Sequence, residues 1–218
     1  MLRKLETALG EAAGRAGAKW IDLAPRVEIL CRELLRWNES MRLTALGAEE
    51  ILEHLVLEAL RILAHCPPSG TALDVGSGAG FPALILALAR PALLVTSVEA
   101  REKKAHFQRH AARELGLSNL EVIAGRLEPQ GPAPFGEKKF GVATAQALAP
   151  PAELVPLLSP HLAPGGRLVL PRGPAWKEER PAALEAARKA GLSILSEEAS
   201  ELPLSGARRI LVVLGGAG

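Results

Sequence analysis

The sequence predicts an α/β protein with a mostly parallel, Rossmann-like sheet, one antiparallel strand near the C-terminus, and an N-terminal helical extension. Three observations carry that expectation. Apolar runs and helical patterns alternate from residue 71 onward, as in a chain of strand–helix crossovers. The first of these runs ends in Asp74-Val75 and passes into the glycine turn Gly76, Gly78 and Gly80 before the apolar segment 83–89, a strand–turn–helix unit. Two last apolar runs, about 192–198 and 207–214, are joined by the short connection 202–206, which suits an antiparallel pair.

In chain order, residues 1–24 show leucine and alanine periodicity interrupted by Gly10, Gly14 and Gly17, which predicts a short or frayed helix. Val27, Leu30, Cys31, Leu34 and Leu35 fall on one helical stripe. Residues 37–46 read as a polar turn, and Ile51, Leu52, Leu55, Ala59, Ile62 and Leu63 mark a third helix. On it His54 and Glu58 are spaced one turn apart, as a surface or half-buried pair. Pro67-Pro68-Ser69-Gly70 breaks the chain before the sheet, so residues 1–66 form the helical extension and 67–218 the sheet unit.

Beyond the glycine turn, Pro82 fits the first position of a helix, and Leu93–Val98 is a second strand ending on Glu99. Residues 101–115 form a helix with Phe107, Ala111 and Leu115 inward and Lys103, Lys104, Arg109 and Arg113 outward. Residues 120–124 and 139–145 are strands, 151–162 a helix, and 167–170 a strand after the Pro164-Gly165-Gly166 turn. Residues 176–189 are an exposed helix.

Composition narrows the function. Of the 218 residues 48% are apolar, enough for a packed core, and a net charge of +2 excludes a strongly basic nucleic-acid binder while leaving room for local patches. Aromatic residues are only 3%, with no tyrosine, so a stacking platform for single-stranded RNA is excluded. Cys31 and Cys66 lack metal-ligand spacing and read as reduced thiols, and no metal is expected. No spanning apolar run or leader pattern occurs, which predicts a soluble, cytoplasmic protein without a membrane partner.

The glycine spacing separates two cofactor classes. A dinucleotide fingerprint is G-x-G-x-x-G; here the third glycine comes one residue early, and Phe81 stands in its place. G-x-G-x-G resembles the first motif of class I S-adenosylmethionine (SAM) methyltransferases. In that reading Asp74 meets the ligand's amino group, and Glu99, about 20 residues past the loop, takes the ribose hydroxyls. A dinucleotide site and a purely structural turn are the alternatives.

A family resemblance extends this reading over residues 25–214. Its motifs are Trp37-Asn38 with Leu43-Thr44-Ala45, His54, the loop ending in Phe81-Pro82, Lys103-Lys104, and Leu115 to Asn119. Further along come Arg126-x-Glu128, Ala147 to Pro150, Gly165-Gly166, Arg172-Gly173 and Leu202-Pro203 before Arg209. The chain resembles the small-subunit ribosomal RNA methyltransferase G family. The resemblance implies a monomeric enzyme that transfers a methyl group from SAM to N7 of a guanine in 16S ribosomal RNA, leaving S-adenosylhomocysteine. It implies cofactor contacts from Asp74, Gly76, Ser77, Gly78, Gly80, Phe81, Glu99, Ala100, Leu127, Glu128 and Gln146. Positioning candidates are Arg126, Gln146 and Arg172, with Lys103, Lys104, Arg126, Arg172 and Arg209 toward RNA. The family has arginine where this chain has Gln146, lysine where it has Arg172, and asparagine where it has Arg42. It has an acid at the position of Leu57. Guanine N7 carries a lone pair and no proton, so no catalytic base is required. Methylation of a small molecule or another RNA, and a non-catalytic SAM or nucleotide module, are the rival functions.

Overall fold

In the computed structural model, residues 2–146 and 148–216 are described. The first helix, α1 (Leu2–Arg15), is neither short nor frayed: Leu5, Leu9, Ala12 and Ala13 are buried on one stripe, while Gly10 and Gly14 lie off it. Burial of that stripe outweighs the roughly 1 kcal/mol that each interior glycine costs relative to alanine. Helix α2 (Trp20–Met41) starts before Pro25 and continues through residues 37–41, which the sequence assigns to a turn. It stops at Arg42, a left-handed cap with φ 51°. Asn38 then closes the exit, its Oδ1 accepting the Thr44 N–H at 2.9 Å.

Next come α3 (Ala48–Glu50), a π-helical turn (Ile51–Val56) and α4 (Leu57–Leu63). The π turn shifts the helical phase, so His54 and Glu58 do not pair; Glu58 is buried and takes Arg61 at 2.8 Å. This segment is stapled to the far end of the chain. The buried Glu53 accepts the N–H groups of Leu204 and Ser205, and Arg61 donates to the Glu198 carbonyl at 2.9 Å.

The sheet unit follows as β1 (Gly70–Val75), α5 (Ala83–Ala89), β2 (Leu93–Glu99), α6 (Glu102–Glu114), β3 (Leu120–Ala124) and β4 (Phe140–Thr144). After these come α7 (Pro151–Leu158), β5 (Leu162–Arg172), α8 (Trp176–Lys189), β6 (Leu192–Glu201) and β7 (Arg208–Gly216). The described strands make one seven-stranded sheet in the order β3-β2-β1-β4-β5-β7-β6, in which β7 is antiparallel to both neighbours, as expected of the terminal pair. Strand β5 is longer than expected because it takes in the Pro164-Gly165-Gly166 turn as a bulge, where Phe140 pairs Leu162 but Val142 pairs Arg167.

Successive strand residues point to opposite faces. Ala72, Val142, Val169, Leu211 and Val213 join α1, α2, α4, α5 and α6 in one apolar cluster; Leu73, Ala143, Leu168, Val212 and Leu214 join α7 and α8 in the other. Phe107, Ala111 and Leu115 face inward on α6 as their spacing requires. Burial pushes the thiols of Cys31 and Cys66 up to about 12, which keeps them unreactive. No described helix is long and apolar enough to cross a membrane.

Candidate functional site

The parallel strands end together at one edge, where an open α/β sheet places its ligand. Asp74 and Thr144 sit side by side there in register, β2 delivers Glu99 one strand away, and Gln146 follows the end of β4. Between β1 and α5 the chain turns through Gly76, Gly78 and Gly80, at φ values of 72°, 58° and 91°. Helix α5 begins at Ala83, so Pro82 occupies the cap and not the first helical position.

The N–H groups of the three loop glycines are already used internally. Gly76 donates to the Val98 carbonyl at 2.8 Å, Gly78 to Glu99 Oε2 at 2.8 Å, and Gly80 to the Ser77 carbonyl at 2.8 Å. Glu99 Oε1 accepts the Arg101 N–H at 2.9 Å, and the carboxylate keeps further lone pairs for a ligand hydroxyl. A pyrophosphate loop needs free donors and no carboxylate against them. This arrangement supplies the reverse.

Asp74 is fully buried. Its Oδ2 accepts the Ala83 N–H at 3.1 Å, while Oδ1 has no partner. Burial above all holds its carboxyl well above the usual range; the Ala83 N–H opposes that and Glu99 reinforces it. A ligand ammonium group brought up to this carboxyl, directly or through a water, would favour its ionised form.

Behind the loop lies a polar network that sequence reasoning missed. Gln108 of α6 is wholly buried; its Nε2 donates to Ser77 Oγ at 2.8 Å and to the Gly78 carbonyl at 2.9 Å. Ser97 Oγ lies 2.6 Å from both Ser77 Oγ and Gln108 Oε1. Every member can be satisfied at once: Ser97 donates to Gln108, Ser77 to Ser97, and Gln108 to Ser77 and Gly78. The network ties the loop to β2 and α6. Its only sequence signal is a glutamine next to Phe107 on an inward stripe.

The remaining candidates divide by location. Phe81 and Leu127 are buried beside the loop and the end of β3, and Ala100, Arg126 and Glu128 are exposed there. Lys104 leans over Gly78; burial lowers its pKa, and Glu99 partly restores it. Lys103 is drawn away to the Met41 carbonyl at 2.7 Å, and Arg109 to the Val122 carbonyl and Glu102. Arg172 is clamped by Glu179 at 2.7 Å and donates to the Ala149 carbonyl, so its charge is largely neutralised. Gln146 Nε2 donates to the His54 carbonyl at 3.3 Å, and His54 Nδ1 accepts from Arg209 at 3.0 Å. Leu148 covers Gly76, and Ala147 lies outside the described residues. Among the described residues no cluster of His, Cys, Asp and Glu could hold a metal ion.

The family motif at Trp37 has a packing role. Its indole stacks 4.7 Å from the His110 ring and 5.7 Å from Phe107, fixing α2 on α6 behind the loop. His110 is held in turn by Glu33 at 2.7 Å.

A SAM-dependent methyltransferase from Aquifex aeolicus superposes with a TM-score of 0.54 at 18% identity, covering 75% of this chain and 92% of that one. A methyltransferase from Pyrococcus furiosus gives 0.52 at 20% identity, over 68% and 76%. At these identities the likeness establishes the fold, the class I methyltransferase sheet. The sequence relatives are nearer. Ribosomal RNA small subunit methyltransferase G of Myxococcus xanthus is 40% identical over 193 residues, 88% of each chain. The proteins of that name from Syntrophotalea carbinolica and Geobacter sulfurreducens are 39% and 37% identical, over 84% and 95% of each chain. Residues 24–205 match the model of one family throughout, and the chain belongs to it: the rRNA small subunit methyltransferase G family.

Proposed function

We propose that the protein transfers a methyl group from SAM to N7 of a guanine in 16S ribosomal RNA. The observation that carries the cofactor half is the pair of buried acids, Asp74 and Glu99, at the ends of β1 and β2 beside a loop whose glycine N–H groups are satisfied. That site suits an ammonium group and hydroxyls, and repels phosphate. The donor set therefore fits SAM, which when bound supplies the electrophilic methyl group. Family membership supports the RNA half.

For this chemistry the chain's own residues position and exclude water; they do not abstract a proton. Asp74 and Glu99 orient the cofactor at one side of the strand edge. Gln146, anchored on His54, faces the same edge and can hydrogen-bond guanine O6 without adding a full positive charge beside N7. That neutrality matters because positive charge develops on the purine as the methyl arrives.

The test incubates purified protein with radiolabelled SAM and either 30S subunits or stripped 16S RNA, and maps the modified base by primer extension after borohydride–aniline cleavage. One cleavable 7-methylguanine is expected. Label incorporated at another atom would overturn the N7 assignment, and label in neither substrate would overturn the RNA assignment.

A further inference from the structure

One concavity lies well outside the glycine-loop site. It is a groove of about 720 Å³ between the start of α8 and the paired strands β6 and β7. Gly173 and Pro174, where β5 leaves the sheet, line it with Lys177, Arg180, Arg208 and Arg209 and with Glu197 and Glu201. The two acids do not cancel the four cations. Glu197 is taken by Arg180 at 2.9 Å and by the Trp176 indole N–H at 2.8 Å, which lower its pKa against the opposing effect of burial. Glu201 reaches only Arg208, at 3.9 Å, with both side chains mostly exposed. Among the described residues Lys177 has no ion-pair partner. The lining thus carries two more cations than acids, counting Arg209, whose guanidinium turns to His54 at the mouth; of the other three, Lys177 and Arg208 have no close ion pair among the described residues.

Its position gives this charge a use. Strand β7 is antiparallel, so Arg208 and Arg209 at its start lie at the same sheet edge as the glycine loop. Arg209 is held at both ends of its guanidinium, donating to the Arg208 carbonyl at 3.1 Å and to His54 Nδ1 at 3.0 Å. His54 offers its carbonyl to Gln146. One residue thus separates the mouth of the groove from the strand end where the target base is to sit.

We propose that this groove is a phosphate track: it grips the RNA backbone flanking the methylated nucleotide, with Lys177 and Arg208 on successive phosphates and Arg209 at the turn into the site. The inference rests on the ribosomal RNA reading above. Backbone contacts of this kind fix register and contribute affinity without reading sequence. They also compensate for Arg172, whose charge is spent on Glu179.

The test compares the double variant Lys177→Glu/Arg208→Glu with a control of equal charge change, Lys138→Glu/Lys189→Glu, at the opposite edge of the sheet. The wild type and both variants are titrated with stripped 16S RNA across salt and assayed for methyl transfer. S-adenosylhomocysteine calorimetry and circular dichroism melts serve as folding controls. The groove variant should bind RNA about tenfold more weakly, and its log K against log salt slope should flatten by about 1.4, two single-strand contacts. Its apparent KM for RNA should rise with kcat unchanged. Unchanged RNA binding overturns the track, as does equal weakening in the control. RNA binding through the groove without methyl transfer would sink the functional reading and spare the track, whereas a wild type that binds no RNA sinks both. If the double variant melts early, Lys177→Ala and Arg208→Ala singly must each flatten the slope by about half as much.

Discussion

Replacing Gln108 by leucine should separate the loop from the helix that holds it. The side chain is fully buried and makes two bonds to the loop, at 2.8 and 2.9 Å, and one with Ser97 at 2.6 Å. Leucine fills a similar volume and removes all three. Ser77 and Ser97 keep their mutual contact, so the Gly78 carbonyl and one hydroxyl proton are left without partners. At about 1–3 kcal/mol for each stranded group, the loss is roughly 2–6 kcal/mol. For a chain of this size each kcal/mol moves Tm by about 2–4 °C, so melting should fall by roughly 4–24 °C. Loosening the loop should also weaken S-adenosylhomocysteine by about tenfold, equivalent to about 1.4 kcal/mol. A triple variant, Ser77→Ala/Ser97→Ala/Gln108→Leu, strands fewer polar groups and should recover about half of the stability without recovering affinity. The assays are a thermal melt and calorimetry on the same samples. If Gln108→Leu melts within a degree of wild type and binds the ligand equally well, the network does not hold the loop.

Other perturbations separate stability from binding. Burial raises the folded-state pKa of Asp74, so its stabilising share is complete below the unfolded pKa and lost as pH rises through the folded value. Ligand-free Asp74→Asn should therefore gain stability over wild type progressively across that window, by urea melts at several pH values, yet bind S-adenosylhomocysteine about ten- to hundredfold more weakly; a stability difference that is flat with pH would refute it. A Cβ at Gly80 would overlap Leu84 Cδ1 and crowd Gln108 Cγ, at φ 91°, so Gly80→Ala should cost roughly 2–4 kcal/mol in a urea melt. At Gly76 the Cβ meets Leu148, whose side chain is 46% exposed and can swing away, so Gly76→Ala should cost only about 1–2 kcal/mol. Gln146→Arg can keep the bond to the His54 carbonyl and adds a charge-assisted donor, worth about 1–2 kcal/mol more than a neutral one. Steady-state assays should show a severalfold lower KM for RNA with SAM affinity unchanged.

The sheet was legible because its signals are local. The apolar alternation of β1, β2, β4 and β5, the glycine spacing and the short 202–206 connection each follow from a few adjacent residues. What escaped depends on partners far along the chain. Helix α2 outruns its expected end because Arg42, not a glycine, takes the left-handed cap, held there by the Asn38 closure. The expected His54–Glu58 pairing assumed a 3.6-residue turn, but the Leu57 N–H bonds back to the Leu52 carbonyl, five residues away. Gln108 and Glu53 look like surface residues on amphipathic helices; only Ser77, Ser97 and the 204–205 backbone explain their burial. At the site, the types of Asp74 and Glu99 could be read from spacing, whereas the Glu179 clamp on Arg172 could not.

The staples from Glu53 and Arg61 bear on how the chain is made. Their acceptors and donors lie 151 and 137 residues further on, around Leu204 and Glu198. While β1 to β5 emerge and pair, the Glu53 carboxylate has no backbone donors there to justify its burial, so the π turn stays hydrated and its apolar face exposed. Only when the 202–207 connection folds over can that turn dock. A helical segment synthesised before the whole sheet is therefore among the last to settle. A chain that stops before β7 leaves its N-terminal layer uncovered as well as its sheet edge, and should be a target for chaperones and proteases even with every residue of the glycine loop present.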